Sequence, residues 1–218
     1  MLPDVSVIVT CFNYGKYLER CLRSLLNQEL HNRLTYEIVI VDDCSSDESE
    51  RIYHKFEKKF DNIVIIRNVK NQGLAKSCNV GIGVSNGRYI VRVDADDYVA
   101  RLFLFMLKTA LDKNRKYQAF RCDYVEVNEF EEAVSHISPE EKEIACAVMY
   151  RKEFLLDVGL YNEEFEYREG HELNNRFRDK YKIGYLPIPL YFARKHESNR
   201  SKNFEKINEY DQKLLGDN

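Results

Sequence analysis

The chain has no tryptophan, only nine glycines and four prolines, and no two cysteines at metal-site spacing. Scarce glycine and proline in 218 residues that are 44% hydrophobic exclude a disordered or fibrous protein. Cys11, Cys21, Cys44, Cys78, Cys122 and Cys146 are scattered, so nothing suggests zinc or redox work, and free thiols are expected. Apolar runs such as Val5 to Thr10 fall far short of the roughly 20 residues that a membrane span needs. The opening Met1-Leu2-Pro3-Asp4 carries no basic segment and no signal-peptide core, which predicts a cytoplasmic protein, at most peripheral to the inner membrane face. Neither sign of charge dominates: 33 Lys and Arg against 36 Asp and Glu leave −3, with no general electrostatic case for nucleic acid. No G-x-G-x-x-G follows the first apolar run, and no G-x-x-x-x-G-K-[ST] occurs, which removes the common dinucleotide and P-loop motifs.

What is present alternates between two periods. Val5–Val9, Tyr36–Val41, Ile63–Ile66 and Tyr89–Val93 are short, nearly continuous apolar runs, the pattern of strands buried on both faces. Between them, Leu18, Cys21, Leu22, Leu25 and Leu26 form one helix stripe, and Leu74 to Ser85 reads as another helix. Ser45-x-x-Glu48 predicts a capping box that opens a helix carrying Ile52, Phe56 and Phe60. Such alternation means βαβ units, and the expected fold is α/β with a mostly parallel central sheet flanked by helices. Further on, helices are expected over 101–114, 152–158, 172–181 and 202–215. A strand is expected over 120–127, a long loop or short helix over 128–143, and strand pieces around Pro187 and Pro189. With no linker, repeat or low-complexity stretch, residues 1–218 are expected to form one domain.

Ligands of open α/β sheets bind outside the carboxyl ends of the strands. Those ends are Thr10-Cys11-Phe12-Asn13, Asp42-Asp43 and Asp94-Ala95-Asp96-Asp97. Carboxylates at 42, 43, 94 and 96 converging on one rim would repel, so a cation is their natural partner. Residues i and i+2 of an extended segment share a face, so Asp94 and Asp96 suit one bound object. Oxygen ligands of this kind suit Mg²⁺ or Mn²⁺ held jointly with substrate phosphates. Thr10, Phe12 and Asn13 offer a base edge and a base face.

Four segments together resemble family 2 glycosyltransferases of the GT-A fold. They are Val5-Ser-Val-Ile-Val-Thr-Cys-Phe-Asn-Tyr-Gly, Ile40-Val-Asp-Asp-Cys-Ser-Ser-Asp, Asn71-Gln-Gly-Leu-Ala-Lys-Ser-Cys-Asn-Val-Gly and Gly87-Arg-Tyr-Ile-Val-Arg-Val-Asp-Ala-Asp-Asp. A weaker match runs from Arg151 through Gly159-Leu-Tyr-Asn-Glu-Glu-Phe to Asn203. The resemblance implies sugar transfer from a nucleotide-diphosphate donor, a UDP-sugar favoured, usually with inversion. The implied acceptor is a glycan or lipid-linked saccharide. Residues 1–100 would form the donor half, 101–200 the acceptor half and 201–218 a C-terminal helix or tail. Thr10, Phe12 and Asn13 would line the nucleotide pocket, with Asp43 and also Asp42 accepting from the base. Asp94 and Ala95 would sit near the ribose, Asp96 would hold the metal, and Lys76 and Asn79 would help hold the donor. His196 would complete the metal site, with Arg194, Lys195, Arg200 and Lys202 offsetting diphosphate charge.

The catalytic base departs from the family pattern. Inverting transfer needs a carboxylate to take the acceptor proton. Aligned on Leu173, the usual Asp position is Gly170, leaving Glu172, then Glu169, and His171 as a distant third. Cys78 stands where the family commonly has Arg. Gly170 also keeps open a donor-binding domain without catalysis, and carboxylates with Mg²⁺ on an α/β sheet keep open a nucleotidyltransferase. Charge is uneven: 123–172 holds fifteen acidic and four basic residues, a net of −11, and 176–218 ten basic and six acidic, a net of +4. An acidic half would meet a polar acceptor, and a basic tail would meet phosphate.

Overall fold

The computed structural model describes residues 2–31 and 34–216. Its first half is a βαβ series: β1 (Val5–Cys11), α1 (Gly15–Leu26), β2 (Tyr36–Asp42), α2 (Ser49–Glu57), β3 (Ile63–Arg67), α3 (Leu74–Val84) and β4 (Tyr89–Arg92). Then come β5 (Tyr98–Val99), α4 (Phe103–Lys113), β6 (Ala119–Val127), β7 (Ala133–Ile137), β8 (Val148–Arg151), α5 (Lys152–Asp157), α6 (Glu169–Lys180), β9 (Ile183–Arg194) and α7 (Phe204–Gly216). One sheet runs β3-β2-β1-β4-β8-β6-β9-β5, with β7 paired to β6. Its first four strands are parallel, in the register Cys11 opposite Asp42 and Asp42 opposite Arg67. Their carboxyl ends therefore open at one edge.

Strand parity accounts for the continuous apolar runs. Val5, Val7, Val9, Ile38 and Ile40 pack on the face covered by Leu18, Leu22 and Leu25 of α1, Ile52 and Phe56 of α2, and Phe103 and Leu107 of α4. Ile8, Val39 and Val41 point the other way, onto Ala75, Cys78 and Ile82 of α3, Leu155 of α5 and Leu173 and Phe177 of α6. β1, β2 and β4 therefore need apolar side chains at odd and even positions alike, whereas β3, at the sheet edge, is only partly buried and leaves Val64 exposed.

The second half departs from the parallel expectation. β8 pairs antiparallel to both β4 and β6, and β5 antiparallel to β9, while β6 and β9 are parallel. The sheet is therefore mixed. In the β6–β9 ladder the register slips from Leu186 opposite Cys122 to Pro189 opposite Asp123, at the prolines that lack an N–H to donate. The segment 128–143 holds β7, which forms a hairpin with β6 and leaves much of its surface exposed. The Ser45–Glu48 capping box does not form. Asp47 Oδ1 instead accepts the Ser49 N–H at 3.0 Å, and Ser45 Oγ accepts the Asn13 N–H at 3.0 Å. Turn residues were close enough in sequence to mimic the motif, but the side chains went to tie β1 to β2.

All six cysteines are free thiols, five of them buried and Cys44 partly exposed. No helix among the described residues is long and apolar enough to cross a membrane.

Candidate active site

A cleft of about 700 Å³ opens at the strand ends, between the β1, β2 and β4 ends on one side and α6 with its preceding turn on the other. Thr10, Phe12 and Tyr14 line one wall; Asp43, Gly73 and Lys76 continue it. Asp43 Oδ1 accepts from Asn68 Nδ2 at 2.8 Å and the Gln72 N–H at 2.8 Å, and its Oδ2 from the Gly73 N–H at 2.9 Å. Three donors fix its orientation, and a carboxylate has lone pairs for one more. Gly73 sits at φ 89°, a left-handed conformation open to glycine, which lets its N–H reach that carboxylate.

Not every residue expected on this wall reaches the cleft. Asp42 is fully buried beneath it: Oδ1 accepts the Ser45 N–H at 2.9 Å and Oδ2 the Tyr53 hydroxyl at 3.0 Å. Asn13 braces the turn, its Oδ1 accepting the Ser46 N–H at 2.8 Å. Asn79 clamps the backbone of Tyr161, donating to its carbonyl at 2.9 Å and accepting its N–H at 3.0 Å. Asp42, Asn13 and Asn79 are thus braces of the cleft rather than its lining.

The acidic centre follows β4. One oxygen from each of Asp94, Asp96 and Asp97 lies within 4.8 Å of the others, and Ala95 fills the floor between them. Their surroundings differ. Asp94 is gripped by Arg92, whose Nε and Nη2 donate to its two oxygens at 2.6 and 3.0 Å. Burial would raise the Asp94 carboxyl, but the Arg92 guanidinium holds it below its ordinary value. Asp97 accepts from the Tyr191 hydroxyl at 2.6 Å and the Arg194 N–H at 2.8 Å. Burial, then the Asp96 and Asp94 charges, push its carboxyl well above the ordinary value. Asp96 Oδ2 lies 2.9 Å from His196 Nε2 and 3.2 Å from Asn199 Nδ2. Its Oδ1 has no partner among the described residues. A hard cation held by one or two carboxylates plus substrate phosphates fits that single unengaged oxygen. His196 is buried against the Tyr17 ring, centroids 4.5 Å apart, with its Nδ1 2.9 Å from Ser198 Oγ. Here it orients Asp96.

Across the cleft, the two glutamates part company. Glu169 lines it and accepts from Arg92 Nη1 at 2.8 Å through Oε1; its Oε2 is unengaged among the described residues. Glu172 is bonded through both oxygens by Arg176, which also donates to the carbonyls of Val158 and Leu160. Glu172 does not line the cleft. The reason is the angle of one helical turn, because Arg176 at i+4 draws Glu172 to the outer flank. His171 does line the cleft, and burial, then Arg168, lower its imidazole. At Gly170 an added Cβ would lie 2.2 Å from the Ala145 Cβ, so the 143–146 segment fills the space that a side chain would use.

Sequence reasoning missed Arg92, Tyr191 and Asn199. Arg92 had a signal: a charged residue inside the otherwise apolar Ile90-Val91-Arg92-Val93, two residues before Asp94 and so on the same side. Tyr191 and Asn199 meet the acidic centre only through tertiary folding, nearly a hundred residues away.

An open sheet with helices on both faces, a nucleotide-sized cleft at its carboxyl ends and an acidic D-x-D-D rim define the GT-A class of nucleotide-diphospho-sugar transferase folds. The family model described as Glycosyl transferase family 2 matches residues 6–188, and the chain belongs to that family. It is similar to the uncharacterized glycosyltransferase EpsJ of Bacillus subtilis (strain 168), 29% identical over 222 residues, covering 91% of this chain and 63% of that protein. Its fold is similar to S. aureus TarS 1–349 in complex with UDP-GlcNAc, with a TM-score of 0.78 at 24% identity, covering 92% of this chain and 61% of that one. It is also similar to the mannosyltransferase PcManGT of Pyrobaculum calidifontis in complex with GDP-Man and Mn²⁺, with a TM-score of 0.71 at 16% identity, covering 96% and 61%. The chain spans less than two thirds of the length of the curated relatives it matches.

Proposed function

We propose that this chain transfers a sugar from a nucleotide-diphosphate donor, with UDP-sugars favoured, to a hydroxyl of a glycan or lipid-linked saccharide, inverting the anomeric carbon. Residues 1–100 would hold the donor, 101–200 the acceptor and 201–218 would cap the fold. The observation that carries this is the pairing of Asp96 and Glu169 across one cleft, each with one carboxylate oxygen unengaged. Asp43, oriented by three donors, takes an N–H of the base, which suits uracil. Phe12 offers its ring to the base. Asp96 is the ligand for Mn²⁺ or Mg²⁺, oriented by His196 and Asn199. Held there, such an ion would supply positive charge against that developing on the leaving diphosphate. Lys76 and Arg200, both lining the cleft, supply further positive charge.

Glu169 takes the proton of the acceptor hydroxyl as that oxygen bonds to the anomeric carbon. The bond from that carbon to the β-phosphate oxygen breaks, and the nucleoside diphosphate leaves. Glu172 has both oxygens committed to Arg176, which favours Glu169 for this role. A lipid-linked acceptor would be reached by peripheral contact with the inner membrane face, from a cytoplasmic position.

A second reading has its own observation. Ala145 closes the space at Gly170, where the family resemblance expects the base, and this would suit donor binding without turnover. Incubation with nucleotide sugars, Mn²⁺ and a panel of saccharide acceptors separates the readings. Nucleoside diphosphate released together with glycosylated acceptor is the expected result. UDP binding with no product supports the second reading, and pyrophosphate release identifies nucleotidyl transfer instead.

A further inference from the structure

Arg92 is a buried cation in the cleft floor that the reaction as derived above does not use. It ends β4, and its three bonding nitrogens serve two carboxylates from different halves of the chain. Nε and Nη2 grip both oxygens of Asp94, and Nη1 holds Oε1 of Glu169 at 2.8 Å. Buried ionic groups cost desolvation, and replacing such a cluster by apolar residues is often neutral or stabilising. Among the described residues, Asp94 and Glu169 are the partners to which its guanidinium donates. Cys78 and Cys146 are apolar in character and fully buried, and the Tyr161 ring lies 6.0 Å away. Arg200 also acts on Asp94, and Asp96 and Asp97 stand beside it.

We infer that Arg92 is the positioning residue of the reaction, a fork that locks donor-side Asp94 and acceptor-side Glu169 to each other across the cleft. This rests on the transfer reading above. With Nη1 on Oε1, rotation of the Glu169 carboxylate is arrested and Oε2 is left for the acceptor proton. With Asp94 held at both oxygens, the donor end of the rim keeps a fixed shape. The same guanidinium does both, so donor seating and proton removal share one support. A lysine keeps the charge but has no planar fork, and cannot reproduce a two-oxygen grip on one carboxylate together with a third bond to another.

Arg92→Lys is the deciding variant, read by turnover and by calorimetric titration with UDP and Mn²⁺. A fork acting on both ends predicts turnover down at least about thirtyfold, as for a reacting group misplaced by about 1 Å, and UDP affinity down at least about fivefold. Glu169→Gln should lower turnover while leaving UDP affinity within about twofold, because it removes only the acceptor end. If Arg92→Lys leaves both quantities within about twofold of wild type, or moves one alone, the fork is overturned. Should Arg92→Lys fail to fold, Arg92→Met combined with Glu169→Gln is compared with Glu169→Gln alone. At saturating donor, turnover within about threefold of the single variant together with UDP affinity down at least about fivefold supports the fork, because Arg92 then has no base to position but still holds Asp94. A multiplied loss of turnover at saturating donor, or unchanged UDP affinity, overturns it. If the wild type itself forms no product, the transfer reading fails, while the UDP titration still judges the fork at its donor end.

Discussion

Glu169 and Glu172 sit one turn apart on α6, and the arginine each meets decides which oxygens it keeps free. Arg92 takes one oxygen of Glu169, whereas Arg176 takes both of Glu172. Glu169→Gln should therefore reduce initial transfer rates by at least about 100-fold, the ordinary worth of a general base. Glu172→Gln should leave turnover per folded molecule within about threefold and cost about 1 kcal/mol in denaturant unfolding, the worth of a partly exposed charged pair. Asp96→Asn is expected to abolish the response of activity to added Mn²⁺, checked by titrating the ion into chelator-treated protein. Much of the cleft's lining was legible in residue types: the D-x-D-D run, Glu169 of the acidic pair on α6, and Thr10 and Phe12 after β1 all line it. Asp42 is the last residue of β2 and is buried beneath the rim, so of the adjacent pair only Asp43, one residue past the strand, lines the cleft. The partners that occupy these carboxylates were not legible, because Arg176 is local but Tyr191 and Asn199 arrive from far along the chain.

At the scale of elements, the start of α6 is fitted against the 143–146 segment with no room to spare. Asn174 Nδ2 donates to Glu143 Oε1 at 2.8 Å and ties the two together beside the Gly170 contact. Gly170→Ala should cost about 1–3 kcal/mol in thermal or denaturant unfolding, the usual penalty for overpacking. Adding Ala145→Gly should recover a large part of that loss. The doubly buried strands of the first half announced themselves as apolar runs, since both faces are covered. The second half did not. β5 is two residues long, β8 four, and β7 is a largely exposed hairpin strand, Ala133-Val-Ser-His-Ile137, whose apolar and polar residues do not alternate. Short or solvent-facing strands are specified by their partners rather than by their own pattern.

Across the whole molecule, a net charge of −3 conceals carboxylates held by cations on several elements. Burial would raise Glu126, but Lys142 and Lys195 bring it below its ordinary 4.5. Glu131 is likewise lowered by Arg194 and Arg20 against its burial, and Asp112 by Lys108 and Tyr89 below its ordinary 3.8. Each is depressed in the folded state, so the stability it contributes is complete above the unfolded value and is lost as pH falls through the folded one. Asp97, raised in the folded state, works the other way and gains stability on acidification. Below about pH 4, where the three depressed groups take up protons, the melting temperature should fall, and one that keeps rising there would contradict these pairings.

The distribution of the thiols has a practical corollary. Burial pushes Cys11 up to about 11 and Cys78 and Cys122 up to about 12, and raises Cys21 and Cys146 well above the ordinary value. Cys44 alone is partly exposed, at φ 68° in the turn immediately after Asp43. A maleimide dye at neutral pH should therefore attach once per folded chain, next in sequence to the cleft-lining Asp43, with no cysteine engineered in or out. Mass spectrometry of the labelled protein should find one adduct, carried on the peptide that contains Cys44, and the dye's emission would then follow changes at the turn after Asp43.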